Sequence, residues 1–207
     1  MIFLKIVLLL SFVSNISYAK PYVSDTLLTQ IAHKYKMFAK KRFFYLQKTL
    51  DAEKNSDELA KLKAVNDFFN AVSYKSDMKV YNRKDYWATP WEFLGKDMGD
   101  CEDYVISKYF ALKYLGINPR KMFFTYVKST KFKVSHMVLT YFKTPRSEPL
   151  ILDNNNRRIF PASKRRDLIP IYNFNGDTLY KKKRRGKKKK THKKWDELQQ
   201  NMKHNKI

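Results

Sequence analysis

Apolar residues recur at helical spacing in two stretches near the start of the chain. The first stripe consists of Leu28, Ile31, Tyr35 and Phe38, and the second consists of Leu59, Leu62, Val65, Phe69 and Val72. Ser24 or Asp25 can cap the first helix, which runs on towards Leu50. Residues 55–57 interrupt the pattern and cap the second helix. These faces predict two amphipathic helices that pack against a core.

A third helical stripe begins at the single cysteine of the chain. It consists of Cys101, Val105, Tyr109 and Leu112. Gly99 or Asp100 can cap this helix, and Leu115-Gly116 ends it. Residues 75–98, which precede it, are rich in Tyr, Asp and Asn and are predicted to form a loop.

After Pro119 the pattern changes to β-branched and aromatic runs, which favour strands. Strands are predicted at residues 122–127, 136–142 and 150–153, with a shorter one beginning near 159. Residues 168–172 are predicted to form an edge strand, because Pro170 has no N–H to donate and does not fit a central strand. Helices followed by an antiparallel sheet indicate a single α+β domain, which we assign to residues 20–180.

The first 19 residues are typical of a secretory signal peptide. Lys5 precedes an apolar run, and Ser17-Tyr18-Ala19 fits a small-x-small cleavage site before Lys20. The alternative is an uncleaved membrane anchor, but the apolar run is shorter than the roughly 20 residues that span a bilayer. We therefore expect an exported protein, which in a bacterium indicates the periplasm.

The net charge is +24, and it is concentrated at the end of the chain. The last 27 residues contain thirteen Lys or Arg and two Asp or Glu. We predict that residues 181–207 form a basic, disordered tail, because like charges in the run 181–190 repel each other. Such a tail can contact anionic lipid or polysaccharide of the envelope. Nucleic acid is not expected, because no aromatic residue interrupts the run to stack on bases.

The chemistry of the chain depends on how its one thiol is used. A single cysteine cannot form an internal disulfide, and a lone cysteine is often a small buried hydrophobe. At the start of a helix, however, free N–H groups and the helix dipole favour a thiolate. A histidine and a carboxylate further along the chain favour this second interpretation.

His136 begins the second predicted strand, and Asp153 ends the third. In a hairpin the start of one strand lies beside the end of the next, so these two side chains are expected to be neighbours. The N-terminus of a helix that packs on the sheet can present Cys101 to them. The imidazole would then take the thiol proton, and the carboxylate would orient the imidazole. Taken separately, His136 can be an ordinary strand residue and Asp153 a turn-capping residue.

Several segments resemble the bacterial transglutaminase-like cysteine proteinases of the LapG type. The segments are Trp87-Ala-Thr-Pro-Trp-Glu-Phe-Leu, Gly99-Asp-Cys-Glu-Asp, His136-Met-Val-Leu, Ile151-Leu-Asp-Asn and Leu168-Ile-Pro-Ile-Tyr-Asn-Phe-Asn. The resemblance implies a papain-like, transglutaminase-core fold and a triad of Cys101, His136 and Asp153. It further implies a periplasmic, calcium-dependent protease that cleaves a large surface adhesin near its N-terminus and so controls attachment and biofilm. An inner-membrane cyclic-di-GMP receptor is the implied regulatory partner.

Acidic residues surround the thiol and oppose its ionisation. The resemblance implies that Asp100 and Glu102, and less clearly Asp103, hold Ca²⁺, which prefers carboxylate oxygens. The alternative is a capping cluster, since acids are common at helix starts. Three acids supply fewer than the six to eight ligands that Ca²⁺ takes, so other groups must complete the site.

Two other functions remain open from the sequence. The same triad can transfer an acyl group to an amine, as in a true transglutaminase, or the protein can be a non-catalytic, cationic envelope-binding protein. The oxyanion donor is also open. The main-chain N–H of Cys101 and the indole of Trp87 are the candidates.

Overall fold

The structure is a computed structural model that describes residues 20–176, 192–204 and 206–207. Its α-helices are α1 (Asp25–Glu53), α2 (Glu58–Phe69), α3 (Asp77–Tyr81), α4 (Pro90–Lys96), α5 (Cys101–Tyr114) and α6 (Lys193–Lys203). The predicted signal peptide over residues 1–19 and the basic run over 181–190 lie outside the described residues. Among the helices that are described, none is long and apolar enough to cross a membrane.

Seven strands form two sheets. They are β1 (Ser73–Tyr74), β2 (Met98–Gly99), β3 (Met122–Ser129), β4 (Val134–Tyr141), β5 (Leu150–Leu152), β6 (Phe160–Pro161) and β7 (Leu168–Phe174). The five-stranded sheet has the order β6-β5-β4-β3-β7, and its neighbours are antiparallel. Strands β1 and β2 form a separate parallel pair. Helices followed by an antiparallel sheet confirm the predicted α+β class.

The first two helices begin where the sequence predicts. The hydroxyl of Ser24 accepts a hydrogen bond from the N–H of Leu27, and the carboxylate of Asp57 accepts one from Ala60. Helix α1 contains one interruption, at Lys36, whose φ of 68° and ψ of −175° are not helical. Most residues of the two apolar stripes pack in the core, but Phe38 and Leu59 are exposed, so the prediction that these two face the core is wrong.

The prediction of a loop over residues 75–98 is wrong, because this stretch contains α3, α4 and β2. Helix α4 starts with a capping box, in which the Thr89 hydroxyl accepts from the N–H of Glu92 and the Glu92 carboxylate accepts from the N–H of Thr89. Pro90 occupies the first helical position, where its missing N–H has no cost. Local hydrogen bonds therefore fold a segment whose composition resembles a loop.

The large sheet places β4 in its centre and β7 at one edge. Strand β4 pairs with β3 over its whole length and with β5 over residues 139–141. Pro170 lies in the edge strand β7, as predicted, near an irregularity in the pairing of β3 with β7. The hairpin from β4 to β5 brings the beginning of β4 close to the end of β5.

Helix α5 is the central helix of the domain. It packs on β4 and contacts both α2 and α4. Every side chain from 102 to 109 is buried, including those of Glu102, Asp103 and Lys108. The single apolar stripe predicted from the sequence therefore covers only part of the buried surface of α5. This helix begins at the thiol and is enclosed by protein on all sides, so any charge it carries inside the domain needs a partner.

The last part of the chain corrects the prediction of a disordered tail over residues 181–207. Residues 193–203 form α6, and Trp195 and Leu198 are buried in the core. The Trp195 ring stacks on Phe110 at a centroid distance of 5.9 Å. Burial of these two large apolar side chains stabilises the helix on the core despite the flanking lysines. Helix α6 is thus part of the folded domain.

Candidate active site

Cys101 is the first residue of α5, and Asp100 is the N-cap residue in an extended conformation. The short β1–β2 pair delivers the chain to this point, and the N–H of Lys75 donates to the carbonyl of Gly99 at 2.8 Å. Gly99 has no room for a side chain, because a Cβ would overlap the Asp103 carboxylate and the Phe93 ring. The backbone on the N-terminal side of the thiol is therefore held tightly.

The Cys101 thiol is half-buried and has two polar neighbours. Its Sγ donates to Oε2 of Glu102 at 3.1 Å, and the main-chain N–H of Met137 lies near enough to the sulfur to lower its pKa. Burial raises the pKa of Cys101 well above its usual value, and the carboxylates of Glu102 and Asp100 raise it further, against the opposing effect of Met137. Without a compensating charge, this thiol is held in its neutral form.

His136 and Asp153 form a buried pair next to the thiol. Nε2 of His136 lies 2.7 Å from Oδ1 of Asp153, and both side chains are at most 5% exposed. Met137, whose N–H faces the sulfur, directly follows His136 in β4. The structure therefore pairs His136 with Asp153 and places Cys101 beside the same strand, near Met137. Because Nε2 faces Asp153, Nδ1 is the ring nitrogen left to serve as a base.

Asp153 is held by more groups than the imidazole. Its Oδ2 accepts from Nη2 of Arg165 at 2.7 Å, and its Oδ1 accepts from the N–H of Asn155 at 2.9 Å. Burial alone would raise the pKa of Asp153, but His136, Arg165 and the Asn155 N–H together lower the pKa to about 2. Arg165 also pairs with Asp167. The sequence analysis missed Arg165, which belongs to a basic turn with no periodic signal.

A cluster of three acids lies beside the thiol. One carboxylate oxygen from each of Asp77, Asp100 and Glu102 lies within 4.8 Å of the others. Burial and the neighbouring Glu102 raise the pKa of Asp100 to about 10. Burial raises the pKa of Asp77 to about 6, against the N–H donated by Tyr86. Asp77 is the member that the sequence analysis missed. It is distant from Cys101 along the chain, and the parallel β1–β2 pair brings the two segments together.

This cluster fits a hard divalent cation. Among the residues that the structure describes, no hydrogen-bond partner reaches the buried Oδ1 of Asp77 or the buried Oδ1 of Asp100. Unpartnered buried carboxylate oxygens are costly, and oxygen ligands from carboxylates are what Ca²⁺ binds. Of the predicted metal ligands, the structure brings Asp100 and Glu102 together.

Asp103, the third predicted ligand, is not brought into the cluster. Its side chain is fully buried, and its Oδ1 accepts from the main-chain N–H of Ala88 at 2.9 Å. Burial raises the pKa of Asp103 well above its usual value. The residue instead connects α5 to the segment before α4.

Trp87 packs near the same region. Its ring stacks on Phe174 and His192 at centroid distances of 6.1 and 4.8 Å. Its Nε1 is buried and has no hydrogen-bond partner among the described residues. The indole therefore retains a free donor, as an oxyanion ligand would require. His192 lies just before α6, so the C-terminal helix helps to hold this ring.

A helix that starts at a thiol and packs on a sheet carrying a His–Asp pair defines a papain-like cysteine hydrolase of the transglutaminase type. Comparison with known proteins agrees. The profile of the bacterial transglutaminase-like cysteine proteinases matches residues 31–167, and the chain belongs to this family. It is accordingly a cysteine protease. The comparison with curated protein sequences gives no significant match.

Solved structures of LapG from Legionella pneumophila are similar to this chain over nearly their whole length. Calcium-bound LapG is 38% identical, with a TM-score of 0.72, and the match covers 84% of this chain and 97% of that chain. EGTA-treated LapG is 35% identical, with a TM-score of 0.73, and the match covers 88% of this chain and 100% of that chain. The similarity confirms the predicted transglutaminase-like fold.

Proposed function

We propose that this protein is an exported, calcium-dependent endopeptidase in which Cys101 is the nucleophile, His136 the general base and acid, and Asp153 the orienting carboxylate. The observation that carries the proposal is the buried His136–Asp153 pair at 2.7 Å, with the N–H of Met137 in the same strand facing the thiol of Cys101. Arg165 keeps Asp153 ionised at neutral pH, as an orienting carboxylate must be.

In the proposed reaction, Nδ1 of His136 takes the thiol proton, and the sulfur attacks the carbonyl carbon of the scissile peptide bond. The main-chain N–H of Cys101, in the first turn of α5, can stabilise the oxyanion. His136 then gives the proton to the leaving amine as the C–N bond breaks, which leaves a thioester on Cys101. Water attacks the thioester, His136 takes one of its protons, and the carboxylic acid product is released with the thiol restored.

Asp77, Asp100 and Glu102 would hold the calcium ion in this proposal. The unpartnered oxygens of Asp77 and Asp100 support the assignment, and one of the similar LapG structures is calcium-bound. A bound cation would neutralise the carboxylates that keep the Cys101 thiol protonated. Glu102 has a second role in the chain itself, because it accepts the hydrogen bond of the thiol and so competes with His136 for its proton.

The proposed substrate is a large surface adhesin that is cleaved near its N-terminus in the periplasm. This substrate class, the effect on attachment and biofilm, and an inner-membrane cyclic-di-GMP receptor as a partner come from the resemblance to LapG-type proteinases. The signal-peptide pattern of residues 1–19 supports export. The basic run at 181–190 is proposed to contact anionic envelope lipid or polysaccharide.

The test is to incubate the protein with the N-terminal segment of a candidate adhesin, in Ca²⁺ and in EGTA. We expect one defined cut in Ca²⁺, and Cys101→Ala should reduce the rate by at least about 1,000-fold. A labelled primary amine is included in a parallel reaction. Incorporation of the amine without chain cleavage would show a transglutaminase instead, and biological activity retained in Cys101→Ala would show a non-catalytic binding protein.

A further inference from the structure

Two asparagines of α2 hold the turn that follows β5. The side-chain Nδ2 of Asn66 donates to the main-chain carbonyl of Arg157, and Nδ2 of Asn70 donates to that of Asp153, each at 2.9 Å. They lie four residues apart, hence on one face of the helix region. Both side chains are buried. Asn70 therefore holds the backbone of the triad residue itself, whereas Asn66 holds the chain four residues further on.

Asn70 differs from Asn66 because it has a charged partner on the nucleophile helix. Nζ of Lys108 donates to Oδ1 of Asn70 at 2.7 Å. Lys108 is fully buried in α5, about 10 Å along the helix axis from Cys101. It therefore lies far from the reacting sulfur, and the mechanism described above does not use it.

A buried lysine needs a reason, because an apolar side chain of similar size would fill the same space at lower cost. Burial lowers the pKa of Lys108 to about 7, while Asp153 and Asp67 act in the opposite direction. The Tyr104 ring lies 5.9 Å from Nζ. Stability alone does not favour this residue here.

The geometry suggests what the lysine contributes. Nζ of Lys108 donates to Oδ1 of Asn70, and the ammonium form, which Asp153 and Asp67 favour, offers no acceptor that could bind Nδ2 of Asn70 instead. The amide group of Asn70 then has one orientation, with its Nδ2 towards the carbonyl of Asp153. Lys108 thus selects the rotamer in which Asn70 holds the triad residue.

We propose that Lys108 and Asn70 are positioning residues for catalysis: the buried chain from Lys108 through Asn70 to the backbone of Asp153 fixes the spacing between the helix of Cys101 and the turn of Asp153. This inference rests on the proposed triad. It adds a connection through Asn70 to the packing of α5 on β4, the strand that carries His136. A displacement of the reacting groups by about 1 Å can lower the rate by on the order of 100-fold.

The test needs no substrate. The rate of alkylation of Cys101 by iodoacetamide is measured at pH 7 in saturating Ca²⁺ for the full chain, Lys108→Met, Asn70→Ala and the double variant. We expect each single variant to react about tenfold more slowly than the wild type. The double variant should be no slower than the slower single variant, because both changes break the same chain of hydrogen bonds.

A second readout is the ring N–H proton of His136 in ¹⁵N-histidine-labelled protein, assigned by its absence in His136→Ala. We expect it to shift or broaden in Lys108→Met and Asn70→Ala. The matched control is Asn66→Ala, which removes the neighbouring tether to Arg157 without touching Asp153. It should leave both the alkylation rate and the ring proton close to those of the wild type.

Urea unfolding separates positioning from a merely structural role. We expect Lys108→Met to be as stable as the wild type or more stable, while it reacts more slowly. Lower stability with a normal alkylation rate and an unchanged ring proton would overturn the inference. So would additive effects in the double variant. If His136→Ala itself reacts as fast as the wild type, the proposed triad fails first, and this inference fails with it.

Discussion

Two groups of buried charges lie beside the Cys101 thiol, and they differ in how burial is compensated. In the first, Asp153 is surrounded by donors from His136, Arg165 and Asn155, and its pKa falls to about 2. In the second, Asp77, Asp100 and Glu102 face one another, and the pKa of Asp100 rises to about 10. Burial is therefore compensated in a way that favours the ionised form of Asp153 and disfavours that of Asp100.

This difference shows which half of the site is complete without a bound ion. The group around Asp153 needs nothing further to hold the imidazole in place. The acidic cluster, in contrast, lacks a positive partner among the residues that the structure describes at this point, and it contacts the thiol through Glu102. In the proposed enzyme, the first group supplies the base and the second makes the thiol depend on a cation.

The largest effect is expected from breaking the compensated group. Arg165→Met leaves Oδ2 of Asp153 buried without its partner, and removal of one member of a buried ion pair typically costs about 3–5 kcal/mol. We expect a loss of stability of this size in urea unfolding. Substrate cleavage should also fall, because the carboxylate is less firmly held.

The matched control for Arg165→Met is Asp167→Asn. It removes the outer partner of Arg165, which is more exposed, and keeps the pair with Asp153. Its effect should stay below about 1 kcal/mol. If Arg165→Met unfolds at the same urea concentration as the wild type, the ion pair does not hold this half of the site.

The next effect concerns the uncompensated group. Ca²⁺ at a concentration 100-fold above its Kd should stabilise the fold by about 2.7 kcal/mol, since it binds the folded state. Cleavage should stop in EGTA and return with Ca²⁺, and Mg²⁺ should restore it less well because it gives up water reluctantly. Unfolding in Ca²⁺ and in EGTA gives the first result, and the cleavage rate gives the second.

Asp100→Asn combined with Glu102→Gln is the control for this calcium response. These changes keep the shape of both side chains and remove two of the three charges, so the double variant should unfold identically in Ca²⁺ and EGTA. A double variant that still gains stability from Ca²⁺ would show that the ion binds elsewhere.

A pH experiment sharpens the comparison at Asp153. Its pKa is lowered from 3.8 to about 2 on folding, so the ionised form stabilises the fold above pH 4 and this contribution disappears as the pH falls to about 2. The total corresponds to about 2 kcal/mol. The stability difference between wild type and Asp153→Asn, measured in urea with EGTA at pH 5, 4 and 3, should therefore shrink by about 1 kcal/mol at the lowest pH. A constant difference across this range would mean that Asp153 is not specially stabilised as an anion.

Those residues of the site that lie on regular elements could be predicted from the sequence. Helical periodicity placed Cys101 at the start of α5, and hairpin geometry placed His136 beside Asp153. Both inferences use only local patterns and one rule of antiparallel pairing. Thr89 and Glu92 have the spacing of a capping box, so the sequence also contains a signal for the start of α4, although the segment was predicted to be a loop.

The remaining site residues depend on contacts between distant segments. Arg165 reaches Asp153 from a turn after β6, and Lys108 reaches Asn70 from another helix. Trp195 joins the core from a segment whose lysines predict a solvated tail. Nothing in the neighbourhood of these residues along the chain specifies the partner, because burial and pairing are decided only when the helices pack.

The last prediction compares two candidate calcium ligands, Asp77 from the geometry and Asp103 from the sequence. Asp77→Asn removes one charge from the cluster and keeps the acceptor for the N–H of Tyr86. We expect Ca²⁺ to bind about tenfold more weakly in calorimetric titration, which corresponds to about 1.4 kcal/mol. Asp103→Asn keeps an oxygen for the N–H of Ala88 and lies outside the cluster, so its Kd should stay within about twofold of the wild type. The two variants carry the same chemical change, one inside the cluster and one outside it. If Asp103→Asn weakens Ca²⁺ binding more than Asp77→Asn does, the ligand assignment from the sequence is right and the one from the geometry is wrong.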